Sequence, residues 1–181
     1  ALVTSFKQVA VDQTSSNRRK FSLASLVSEI LLTLSPTLRK SACAVSVDVA
    51  DSLHMDSYPG PLGQVLTNLI NNALVHGFPE NQAGTIAITA GMEDAHCVVL
   101  QVQDDGRGIQ NADLPHVFEP FFTTRMGQGG SGLGLHIVHN LVTSVLGGTI
   151  VAQSEPGRGA KFRLTIPCTV ADRQDNQPIA N

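Results

Sequence analysis

Several absences narrow this chain before any motif is considered. No apolar run approaches the ~18–20 residues of a membrane-spanning helix, and no signal peptide opens the sequence. The three cysteines, Cys43, Cys97 and Cys168, are far apart and form no Cys-x-x-Cys pair. They read as buried or incidental thiols in a reducing compartment, not as a disulfide frame. The formal net charge of −3 offers no electrostatic attraction to nucleic acid. Internal repeats and low-complexity segments are missing. So are the Walker pattern G-x-x-x-x-G-K-[ST] and a G-x-G-x-x-G opening after a first strand, which excludes the two phosphate loops most often met. The sequence starts at Ala1 without methionine, as expected of an excised fragment whose parent has room for a membrane anchor elsewhere.

What is present suits one compact domain. A length of 181 residues with 42% hydrophobic content supports a substantial core. Leu2, Phe6 and Val9 fit one helical face, predicting the end of a helix followed by a polar linker to Lys20. Leu23, Leu26, Val27, Ile30, Leu31 and Leu34 predict a helix with Ser22 as N-cap and Pro36 near its stop. Ala44–Val49 alternates like a half-buried strand. Leu62, Val65, Leu66, Leu69, Ile70, Ala73 and Leu74 mark the clearest helix, ended by Gly77 and Pro79. Strands are expected over Thr85–Ala90 and Cys97–Gln103, a short helical turn near Ala112–Val117, a second strong helix over Leu133–Leu146, and a hairpin of Thr149–Gln153 with Lys161–Ile166. These elements predict an α+β fold: a two-layer α/β sandwich whose mixed, mostly antiparallel sheet carries its helices on one face.

Three groups of residues carry chemistry. Gly127 to Gly134 holds five glycines in eight positions and runs into a helix, so backbone N–H groups and a helix N-terminus can surround an anion. Asn68 and Asn72 lie one helical turn apart, with Asn71 beside them. Asparagine is a middling helix former, and its neutral oxygen ligates a hard cation well. Alone, the trio reads as a solvated helix face. Asp104, before Gly106 and Gly108, can accept a hydrogen bond from an exocyclic amine, although Asp-x-Gly-x-Gly alone is ordinary turn material. Phe118, Phe121 and Phe122 either fill a core or pin a lid over a ligand.

The order of these pieces is far more specific than any one of them. Over about Phe21 to Pro167 the chain resembles the catalytic, ATP-binding domain of sensor histidine kinases, within the gyrase, heat-shock chaperone, histidine kinase and MutL ATPase superfamily. The resemblance implies ATP and Mg²⁺ as cofactors. Asn72 becomes the expected Mg²⁺ ligand and Asn68 a nearby phosphate or metal contact, both with catalytic weight. Asp104 becomes the adenine reader, with Gly106, Gly108 and Ile109 beside it. Phe118 to Arg125, including Thr123 and Thr124, is similar to the F box, with Arg125 in reach of the phosphates. Gly130, Ser131, Gly132, Leu133 and Gly134 match the second glycine box, and 110–131 the lid.

Two positions depart from the pattern. Where many members carry a base three residues after the metal-binding Asn, this chain has Val75, leaving phosphate neutralisation to His76 or Arg125. The last glycine box ends Gly159-Ala160 where Gly-Thr is common. A third feature is informative: hydrolytic members place a glutamate where Asn68 stands, and an amide cannot take a proton from water. None of the six histidines is followed by an acid, so the phosphoacceptor is expected outside the fragment; His136 and His139 read as surface residues. The expected organisation is the end of a dimerisation helix and linker (1–20), the ATP-binding domain (21–168) and a polar tail (169–181). Expected partners are the parent's own dimerisation and phosphoacceptor domain and a response-regulator receiver, with no nucleic acid and no direct membrane contact. The parent is expected to be a homodimer, with this domain cytoplasmic. The competing expectations are a non-catalytic ATP-sensing module, an anti-sigma-type serine kinase and a pure protein-interaction domain.

Overall fold

The computed structural model describes residues 17–78, 82–124 and 132–170. In chain order the elements are β1 (Arg19–Ser22), α1 (Leu23–Lys40), β2 (Cys43–Val49), β3 (His54–Ser57), α2 (Pro59–Asn72), β4 (Gly84–Met92), β5 (Cys97–Asp104), α3 (Gly134–Asn140), β6 (Thr149–Ser154) and β7 (Ala160–Pro167). Five strands form one mixed sheet in the order β2-β4-β5-β7-β6. β2 runs parallel to β4, and the other three pairings are antiparallel. This is the mixed two-layer α/β architecture that the alternation and periodicity predict.

Alternation explains which face is covered. In β5, Val98, Leu100 and Val102 are buried while Val99 and Gln101 stay partly exposed; Ile86 and Ile88 of β4 and Phe162, Leu164 and Ile166 of β7 complete the apolar face. Against it lies the apolar stripe of α2, in which Leu62, Val65, Leu66, Leu69 and Ile70 are at most 1% exposed. Leu23, Leu26 and Val27 of α1 and Val138 of α3 join the same core.

α1 starts where its cap says it should: Ser22 Oγ accepts the Ser25 N–H at 3.3 Å. It does not stop at Pro36 but continues to Lys40. Proline deprives only the carbonyl four residues earlier, that of Leu32, and Leu32 is 75% exposed, so water can satisfy it.

A second, two-stranded sheet of β1 and β3 was not expected from the sequence. Each strand has four residues, too few for alternation to register. Arg19 and Lys20, read as linker, therefore belong to a strand. Arg18 clamps Asp56 of β3 through Nε at 3.0 Å and Nη2 at 3.2 Å. This guanidinium holds the Asp56 carboxyl below its ordinary pKa. Asp56 also bonds Cys168 and Val170 through its backbone, so Thr169 and Val170, read as tail, are tied to β3. The segment before residue 17, read as a helix end, lies outside the described residues.

Leu100 sits fully buried in the central strand. Leu100→Ala is expected to cost about 2–5 kcal/mol through lost burial and a residual cavity, measured as a lowered urea midpoint with unchanged slope.

Candidate nucleotide-binding site

The apolar stripe of α2 faces the core, which puts Asn68, Asn71 and Asn72 on the rim of a cleft of ≈ 540 Å³. After Asn72 the helix widens into a π turn over Ala73–Gly77. Such widenings are frequent at functional sites. Here the turn places Val75, His76 and Gly77 on the cleft wall as well. Asn68 Nδ2 is buried and has no hydrogen-bond partner among the described residues. A buried donor left unpaired costs roughly 1–3 kcal/mol, so this position fits an acceptor supplied by a ligand.

Asp104, the last residue of β5, is 5% exposed at the inner end of the cleft. Its Oδ1 accepts the N–H of Gly106 at 2.9 Å and the N–H of Ala160 at 3.3 Å. Both bonds fall on one oxygen, which leaves Oδ2 for a ligand. Burial raises the Asp104 pKa; the two backbone donors lower it in part, and the nearby Asp105 carboxylate raises it further. Asp105 itself binds the start of β4, its Oδ1 accepting the Thr85 N–H at 2.7 Å.

Close backbone approach builds the floor. A Cβ at Gly106 would collide with the Gly77 carbonyl oxygen, so the loop after β5 presses directly on the end of the π turn. The Arg107 N–H bonds that same carbonyl at 2.9 Å. On the other side, Gly159 has φ +74° and abuts the Asp104 carbonyl, where no Cβ would fit. That contact carries the Ala160 N–H to Asp104. The donor is main chain, so the missing threonine hydroxyl at Ala160 does not affect it.

The aromatic segment divides its labour. Phe118 turns inward, its ring 6.4 Å from Phe162 and 5.5 Å from His139. His136 Nδ1 donates to the Phe118 carbonyl at 3.0 Å, leaving Nε2 to accept from Asn140 at 3.0 Å. These histidines are thus not plain surface residues: they fasten α3 to the aromatic segment. Phe122, Thr123 and Thr124 line the cleft. Phe121 is 67% exposed with φ 66°, a left-handed backbone unusual for an aromatic residue, and its main chain lies against Gly132.

Of the residues expected from the sequence, Asn68, Asn72, His76, Asp104, Gly108, Ile109, Thr123, Thr124, Gly132 and Gly134 converge on the one cleft. Gly106 supports its floor, while Phe118 and Leu133 are not part of its lining. Arg125, Gly130 and Ser131 lie outside the described residues. Arg107, Gln110, Asp113, Val117 and Leu135 also line the cleft; Gln110, Asp113 and Val117 belong to the segment 110–131 expected as the lid, whereas Arg107 and Leu135 were not expected as contacts. Both had a signal, since Arg107 stands between Gly106 and Gly108 and Leu135 directly follows the glycine run.

The family profile described as histidine kinase-, DNA gyrase B-, and HSP90-like ATPase matches residues 58–170, and the chain belongs to that family. It is 42% identical over 119 residues to the sensor histidine kinase ZraS of Escherichia coli O157:H7, an alignment covering 66% of this chain and 24% of that protein. The chain thus spans about a quarter of the length of that relative. Among solved structures it is similar to the catalytic domain of histidine kinase ThkA, with TM-score 0.73 and 29% identity over 84% of this chain and 97% of that one. It is also similar to full-length ShkA in complex with AMPPNP, with TM-score 0.67 and 25% identity over 87% of this chain and 33% of that one.

A raised pKa on a buried acid has a definite sign. Between the ordinary carboxylate range and the raised folded value, the folded state holds more protons than the unfolded one, so stability falls as pH rises through that window. Asp104→Asn is therefore expected to raise the melting temperature of the ligand-free protein at neutral pH. The gain should shrink as pH falls toward the ordinary aspartate pKa, as thermal denaturation at several pH values would measure.

Proposed function

We propose that this chain is the Mg·ATP-binding catalytic domain of a two-component sensor histidine kinase. It would donate the γ-phosphate to a histidine on a dimerisation helix elsewhere in the parent. The observation that carries this reading is the convergence of Asn68, Asn72, Asp104 and Gly132, drawn from three separate parts of the chain, on one cleft. A volume of ≈ 540 Å³ suits a nucleotide.

Each wall has its part. Asp104 Oδ2 accepts the adenine amine, while Gly106 and Gly108 let the base lie close to main chain. Asn72 offers an amide oxygen to a divalent ion, and Asn68 Nδ2 donates to a phosphate oxygen. An ion held by so few protein ligands would take most of its ligands from phosphate and water. Mg²⁺ bound there would neutralise phosphate charge. Asn68 stands where a hydrolytic enzyme needs a base, and an amide cannot deprotonate water. Catalysis is then positioning and charge neutralisation, with the acceptor supplied by the parent's phosphoacceptor domain and a receiver aspartate as the later destination. The parent would be a homodimer, with this domain on the cytoplasmic side of any membrane anchor. No helix among the described residues is long and apolar enough to cross a membrane.

One observation favours a second reading, a non-catalytic ATP sensor: Val75, 40% exposed on the cleft wall, stands where many members carry a base. Phosphotransfer separates the two. Mixed with the dimerisation and phosphoacceptor segment of its parent, Mg²⁺ and γ-labelled ATP, this chain should give acid-labile histidine labelling. A sensor module would bind ATP and label nothing, and the fragment alone is expected to label negligibly. Binding itself is tested by calorimetry: Asn72→Ala should abolish Mg²⁺-dependent ATP affinity while the melting temperature without nucleotide stays put. Unchanged affinity would refute the metal assignment.

A further inference from the structure

Behind the floor of the cleft lies a side chain that none of the motifs assigns. Ser154 ends β6 and pairs across the hairpin with Ala160, the first residue of β7. It does not line the cleft. Its hydroxyl nonetheless joins the two segments that flank Asp104. Ser154 Oγ accepts the Ile109 N–H at 2.8 Å and donates to the Gly159 carbonyl at 2.6 Å. One donor and one acceptor are thus both in use.

We infer that Ser154 is a positioning residue for Asp104, holding the loop 104–109 and the hairpin turn 155–159 in the one register that aims the carboxylate into the cleft. The inference rests on the proposed reading of Asp104 as the group that reads the adenine amine.

Ile109 closes the loop that starts at Asp104. Gly159 precedes the Ala160 N–H, one of two donors on Asp104 Oδ1. Main-chain contacts also join the two segments: Gly157 N–H donates to the Arg107 carbonyl at 2.7 Å, Gly108 passes against the Glu155 carbonyl, and Gly159 abuts the Asp104 carbonyl. The Ser154 hydroxyl is the side-chain bond that joins both ends of this arrangement. Without it, the Gly159 carbonyl loses its partner and the Gly159–Ala160 peptide can rotate. Ala160 N–H then leaves Oδ1, and only Gly106 fixes the carboxylate. Phosphate contacts from α2 and the second glycine box are untouched, so the loss should fall on recognition of the base.

The test uses two nucleotides that differ at that point: ATP, and ITP, in which a carbonyl replaces the adenine amine. Calorimetry with Mg²⁺ on the wild-type chain should show a preference for ATP. Ser154→Ala should weaken ATP about tenfold while leaving ITP within about twofold, collapsing the preference. Ser154→Thr, which keeps the hydroxyl, should restore it. Where Ser154→Ala fails to fold, Ser154→Cys keeps nearly the same volume with a weak donor and acceptor, and should collapse the preference likewise. A lowered melting temperature with the ATP-to-ITP ratio intact would show a purely structural serine and overturn the inference alone. A wild-type chain that does not distinguish ATP from ITP would overturn the reading of Asp104, and the inference with it.

Discussion

A carboxylate at the bottom of a cleft, clamped on one oxygen by two main-chain donors, is the constraint around which this domain is arranged. Asp104 ends a central strand, Ala160 opens the next, and Gly106 follows in the loop between sheet and cleft. For these to meet, the end of α2, the loop after β5 and the turn before β7 must come within main-chain contact. Side chains would keep them apart. Gly77, Gly106 and Gly159 stand where those segments touch, so the glycines of the motif set packing distance as well as flexibility.

The two faces of α2 show how the molecule tolerates such a site. Its inner face places leucines and isoleucine, nearly devoid of solvent contact, against β4, β5 and β7. Its outer face leaves Asn68 with a buried amide nitrogen unpartnered among the described residues, on the same cleft as an acid that burial makes reluctant to ionise. Both polar features oppose folding in the absence of a ligand. The apolar layer offsets them, which is how local frustration at a binding site usually survives.

Legibility in the sequence followed the strength of each physical signal. The threefold and fourfold spacing of α2 and the alternation in β5 act over many residues, so both elements were readable to within a few positions. Asn72, Asp104 and Gly132 were readable as a set because few arrangements need amides, an acid and a glycine run in that order. β1 and β3 were not, since four residues hold too little alternation and their pairing depends on a partner far along the chain. Pro36 misled because its cost falls on the carbonyl of Leu32, a residue that is largely exposed. His136 and Ser154 were invisible for another reason. Their roles depend on tertiary neighbours, Phe118 in one case and Ile109 with Gly159 in the other, that no local pattern encodes.

The clamp at Asp56 has a topological consequence. Its carboxylate grips Arg18 and its backbone grips Cys168 and Val170, so the first and last described stretches are moored to the same residue of β3. The domain closes on itself like a ring with its clasp at one aspartate. Joining those stretches covalently and cutting the chain at an exposed turn such as Asp94–Ala95 would leave every strand pairing in place. Anything attached on either side hangs from one corner of the fold.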